Sequence, residues 1–87
     1  MITVRQMKVM HGLRMFIRSN DGPVEKNVFY SQRNHGPIYR WHYEKLLAKW
    51  HVARVDASRW SSHEFCNASW QSVPQELKTQ LSEHYVE

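Results

Sequence analysis

One cysteine, Cys66, stands in the 87 residues, which excludes an intramolecular disulfide and fits a reducing compartment. Glycine and proline are scarce, three of each, and Gly12, Gly22 and Gly36 stand apart in turn-like settings. No glycine-rich phosphate loop can be built from them. No apolar run approaches the roughly 20 residues of a membrane helix. Acidic side chains number eight against twelve Lys and Arg, and they do not cluster as a two-metal site requires. The basic stretch from Met1 to Arg18 is too interrupted for a secretory signal and lacks the Ser-rich character of a mitochondrial presequence. Together these absences predict a cytoplasmic chain with no membrane span, in which Asn67-Ala68-Ser69 is a chance match to a glycosylation sequon.

What the chain does have is aromatic rings: four Trp, four Tyr and three Phe. Each large ring buries roughly 150–250 Å², on the order of 4–6 kcal/mol before entropy, so a few suffice for a core in one short domain. Charge is uneven. Residues 1–55 hold ten Lys/Arg against three Asp/Glu, and residues 56–87 hold two against five. A basic front and an acidic tail fit nucleic-acid binding, attraction within one fold or head-to-tail pairing between copies, and the favoured reading is simply a solvated surface.

Three strands read directly from the pattern. Leu13 to Arg18 is apolar and β-favouring and ends at Ser19-Asn20-Asp21-Gly22-Pro23, a turn cluster. Val28 to Arg33 leads into Asn34-His35-Gly36-Pro37, a four-residue hairpin turn, and Ile38 to Glu44 has strong β-propensity. The next segment has two readings. Tyr43, Leu46, Leu47, Trp50 and Ala53 follow a helical period; the favoured alternative is a hairpin with Lys45 to Ala48 as its loop. Glu44 then faces Lys49, Tyr43 faces Trp50, His42 faces His51, Trp41 faces Val52 and Tyr39 faces Arg54, giving a salt pair, an aromatic pair and a cation–π pair.

Carried through a four-residue turn at Asn34–Pro37, the same logic sets Tyr30 opposite Trp41 and Val28 opposite Tyr43. One face then gathers Val28, Tyr30, Tyr39, Trp41, Tyr43, Trp50 and Val52. The other carries Phe29, Arg33, Ile38, Arg40, His42, His51 and Val55. Asp56 to Ser72 reads as irregular, with Trp60, Phe65 and Trp70 as apolar anchors over the sheet's edge. Ser72 as N-cap, Pro74 early in the helix and Glu76 in the first turn open a C-terminal helix. Val73, Leu77, Leu81 and Tyr85 form its apolar stripe, narrow enough to lie on one sheet face.

The expected fold is therefore α+β, a three- or four-stranded antiparallel meander over about 13–55 packed against one helix over about 74–85. Residues 1–12 form a weakly ordered extension and 13–87 a single domain. An uncovered sheet edge also favours a homodimer.

Candidate chemistry is thin. His42 and His51 would share one face, but zinc needs more ligands than two, and the expected faces supply no carboxylate or cysteine beside them. His63 and Cys66 are three apart, yet no third group orients an imidazole and no donors mark an oxyanion site. No catalytic residue, metal site, cofactor or small-molecule substrate is expected. Tyr39, Trp41 and Tyr43 alternate with Arg40 and His42 as in single-strand stacking platforms, but the helix needs that aromatic face for its own packing. The expected interaction surface is the opposite one: Arg33, Arg40, His42, His51 and Arg54. The expected function is a small non-catalytic module binding a protein partner, or itself, through an uncovered sheet face or edge. The alternatives are nucleic-acid binding, with Arg33, Arg40, Lys45, Lys49 and Arg54 on phosphates, and a metal- or Cys-dependent enzyme.

Overall fold

The computed structural model describes residues 11–19, 25–56 and 65–86. Five strands form one antiparallel sheet: β1 (Leu13–Ser19), β2 (Val28–Arg33), β3 (Ile38–Glu44), β4 (Lys49–Arg54) and β5 (Phe65–Ala68). Their spatial order is β4-β3-β2-β1-β5. The first four are the expected meander, and β5 returns to pair with β1 at the far edge. A 3₁₀ turn (Trp70–Ser72) then leads into α1 (Gln75–His84). The α+β architecture stands as expected, with five strands rather than three or four. Of the expected extension, residues 1–10 lie outside the described residues, while Gly12 accepts a hydrogen bond from the Asn34 N–H at 3.1 Å.

The hairpin reading of 45–55 holds residue for residue. Glu44 faces Lys49, Tyr43 faces Trp50, His42 faces His51 and Tyr39 faces Arg54. The loop works because Ala48 takes a left-handed φ of 48° and its N–H donates to the Lys45 carbonyl at 3.2 Å. Cross-strand packing then prevails over the helical period of Tyr43, Leu46, Leu47 and Trp50. Tyr43 and Trp50 sit 5.2 Å apart, centroid to centroid.

The β2–β3 register differs from the expected one by a single residue. Val28 faces His42 and Phe29 faces Trp41, where the expected register sets Val28 against Tyr43 and Phe29 against His42. The cause is the turn itself. Asn34 and His35 both have positive φ, 50° and 61°, and the Gly36 N–H donates to the Arg33 carbonyl at 2.9 Å, as in a primed two-residue turn. Pro37 has no N–H to continue the ladder, so pairing resumes with Gln32 opposite Ile38. Because side chains alternate, one residue of slip sends every β2 side chain to the opposite face.

Each face therefore holds a core different from the expected one. On the helix side, Met15, Trp41, Trp50, Val73, Leu77 and Leu81 are buried together, with Phe29, Tyr39, Tyr43 and Trp70 packed against them. On the other side Phe16, Val28, Tyr30, Ile38 and Phe65 form a second cluster. The helix stripe is as read: Leu77 and Leu81 are fully buried. Its start is not. Pro74 occupies the N-cap position, and Ser72 instead donates its hydroxyl to the Ser69 carbonyl at 2.7 Å, inside the 3₁₀ turn. Trp41 is the centre of the packing, 2% exposed, and its indole N–H donates to Ser31 Oγ at 2.9 Å.

Candidate interaction surface

The residues expected to share one surface are divided between the two faces. Strand alternation places Arg40, His42 and His51 together on the side away from the helix. Arg33 and Arg54 lie on the helix side, Arg33 because β2 slipped and Arg54 because it faces Tyr39. Arg33 donates from Nη1 to the Tyr85 carbonyl at 2.9 Å, closing the last turn of the helix as basic side chains often do. Tyr39 takes no cation–π role in this packing; its ring meets His84 edge-on at 4.5 Å.

Arg40 has a carboxylate partner that the pattern did not suggest. Its Nη2 lies 2.6 Å from Glu25 Oε2, and Tyr30 donates its hydroxyl to the other Glu25 oxygen at 2.9 Å. The guanidinium holds the Glu25 carboxyl below its ordinary pKa, against the opposing effect of burial. Burial first, then the hydrogen bond to Glu25, pushes the Tyr30 phenol up. Both sides of the Arg40–Glu25 pair are partly exposed, so its contribution to stability is small.

His42 and His51 face each other as expected, and both are exposed. The expectation that no carboxylate lies beside them is corrected: Glu44 shares their face, and its Oε2 is 2.9 Å from His51 Nε2. Glu44 thus contacts His51, a diagonal neighbour, in place of the salt pair read with Lys49. Among the described residues no group of three or more His, Cys, Asp or Glu side chains is placed to hold a metal ion. Cys66 is half-buried on β5. His63, its suggested partner, and Trp60 lie outside the described residues. Trp70 is half-buried against the helix-side core, with the Lys78 ammonium 5.5 Å from its ring centroid.

No family model, curated protein or solved structure matches the chain. The surface must be read from its own geometry.

That geometry concentrates on β4. It is an edge strand, paired with β3 over all six residues without a bulge, and every one of its residues except Trp50 is exposed. The Val55 N–H donates to the Ile38 carbonyl at 2.8 Å, which makes 38 and 55 a hydrogen-bonded pair. By alternation His51 and Ala53 turn their backbone groups inward to β3, while Trp50, Val52 and Arg54 turn theirs outward. Exposed apolar side chains lie on β4 and on the loop that leads into it: Val52 at 43%, Leu46 at 94% and Leu47 at 62% exposure. Beside Val52 a shallow cleft of about 370 Å³ opens between sheet and helix, lined by Trp41, Lys49, Val52, Gln80, Glu83 and His84. His84 belongs to the exposed end of α1, yet its ring stands edge-on to Trp41 at 5.3 Å, and this desolvation lowers its pKa below the ordinary value.

The sequence pattern flagged the basic residues of this region and passed over its backbone. Amide direction follows from the β3–β4 pairing and edge position from sheet order, and a reading by residue type singles out neither.

Proposed function

We propose that the protein is a small interaction module that binds a protein partner by adding the partner's extended segment to the outer edge of β4. The observation that carries the reading is an unbulged edge strand with outward backbone groups at Trp50, Val52 and Arg54. Natural edges are commonly blunted by bulges, prolines or cover, and β4 has no bulge or proline. Main-chain pairing supplies affinity in this mode, while neighbouring pockets select side chains. The cleft beside Val52 and the leucines at 46 and 47 are suited to that selection.

The nucleic-acid reading has weaker support. Arg33 and Arg40 are engaged with the Tyr85 carbonyl and Glu25 on opposite faces, so the five basic residues do not line one phosphate track. Binding without catalysis, in the cytoplasm, belongs to the same proposal; the single cysteine supports the compartment. Among the described residues no helix is long and apolar enough to cross a membrane.

Selection from a library of extended peptides, followed by amide mapping by NMR, tests the reading. Selected peptides should shift the Trp50, Val52 and Arg54 amides first, and Val52→Pro, which removes an outward donor, should abolish binding. A library that yields no binder, or binders mapping to β5 or the helix, would overturn it.

A further inference from the structure

We infer that the strand added to β4 is β4 of a second copy of this chain, paired antiparallel about a two-fold axis through Val52; this rests on the edge reading above. A two-fold perpendicular to the sheet keeps each face continuous across the junction, so facing residues must come from the same side of both sheets. Centred on Val52, it sets Val52 against Val52 of the second copy, Trp50 against Arg54, His51 against Ala53, and Lys49 against Val55. The outward backbone groups of Trp50, Val52 and Arg54 then meet one another, forming on the order of six new hydrogen bonds.

Side-chain chemistry selects this register among its neighbours. It buries the strand's one exposed branched apolar side chain, Val52 at 43% exposure, against itself. It brings the Arg54 guanidinium of the second copy to the Trp50 edge beside the cleft, where Glu83 supplies a carboxylate. No two Lys or Arg side chains fall directly opposite, which would be destabilising. Moving the axis to His51 would stack that imidazole on its copy and compete with its 2.9 Å contact to Glu44. Moving it to Ala53 would set Val52 against Arg54 and leave the valine without an apolar neighbour. A junction of one strand pair lies at the small end of protein interfaces, so dissociation in roughly the micromolar range is expected.

Sedimentation equilibrium from about 1 µM to about 1 mM, spanning that affinity range, provides the first test. Mass should rise from one chain to two, and Val52→Lys, placed at an exposed site, should weaken association at least about tenfold, or 1.4 kcal/mol. In a Cys66→Ser background, Val52→Cys should oxidise to a cross-linked dimer, since a hydrogen-bonded antiparallel pair holds Cα atoms about 5.5 Å apart, within disulfide reach. His51→Cys should cross-link far more slowly. A single-chain mass at the highest concentration, a dimer indifferent to Val52→Lys, or faster cross-linking at position 51 would each overturn the inference. The peptide selection separates the two claims. A monomer whose β4 still binds selected peptides defeats only self-pairing, whereas a monomer that binds none defeats the edge reading as well.

Discussion

Ser31 and Tyr85, 54 positions apart in the chain, share a hydrogen bond of 2.7 Å between their hydroxyls. Ser31 is completely buried and also accepts the Trp41 indole N–H, so one small side chain joins the middle of the sheet, its largest core ring and the end of the helix. Ser31→Ala leaves the buried Trp41 indole N–H without its acceptor and the Tyr85 hydroxyl without its partner, and each such loss costs about 1–3 kcal/mol. Urea unfolding should place this variant among the least stable single substitutions. Tyr85→Phe, which leaves the Trp41–Ser31 bond in place, should lose about 1 kcal/mol.

Alkaline pH should loosen the same joint. Burial raises the Tyr85 phenol to about 12 from an ordinary value of 10, with the Ser31 hydrogen bond opposing. In the unfolded chain the phenol ionises first, so the unfolded state binds fewer protons across that interval. Stability is fully present below pH 10 and falls as the pH rises toward 12, by on the order of 2 kcal/mol. Denaturant midpoints measured across this range should decline less steeply for Tyr85→Phe than for the parent chain.

At the acidic end the Glu25–Arg40 pair acts in the opposite direction. The Glu25 carboxyl is lowered chiefly by Arg40, so its contribution is present above the ordinary carboxylate pKa and disappears as the pH falls through the folded value. Partial exposure limits the effect to less than about 1 kcal/mol. Glu25→Gln should therefore shift the midpoint slightly at neutral pH and not at all once the Glu25 carboxyl is protonated in the folded and unfolded chains alike; equal loss at both pH values would assign the residue a packing role.

Ala48→Gly should stabilise the hairpin. Ala48 is held at a φ of 48°, where an L side chain is strained by roughly 1–2 kcal/mol, and the exposed loop offers no packing to lose. Against the greater backbone entropy of glycine in the unfolded chain, a net gain of about 0.5–1 kcal/mol is expected. A thermal midpoint that falls would show that the Ala48 methyl packs favourably.

What the sequence made legible follows from how local each determinant is. The β3–β4 register was readable because Glu44/Lys49 and Tyr43/Trp50 bracket a short loop and check one another. The helix was readable because Leu77 and Leu81 repeat its period. The β2–β3 register was not, since it depends on Pro37 withholding one N–H from the ladder. Hydrophobic content could not arbitrate: Val28, Phe29 and Tyr30 are consecutive, so either parity buries large side chains. Phe65–Ala68 pairs with β1 across an irregular register and shows no alternation of its own. The candidate site inherited that error, because one slipped strand moved Arg33 and Phe29 through the sheet. Glu25 escaped notice because its partner lies fifteen positions away, beyond any local spacing rule.

The turn at Asn34–Pro37 acts as a reading frame for the two strands that it joins. Surface loops ordinarily accept an inserted residue at little cost. Here a single insertion that restored or displaced the pairing by one step would exchange Phe29 with Tyr30 between the two cores and carry Ser31 away from Trp41 and Tyr85. An insertion of two would preserve parity. Changes of length in this loop should therefore be tolerated in pairs and rejected singly, the arithmetic of a code rather than of a hinge.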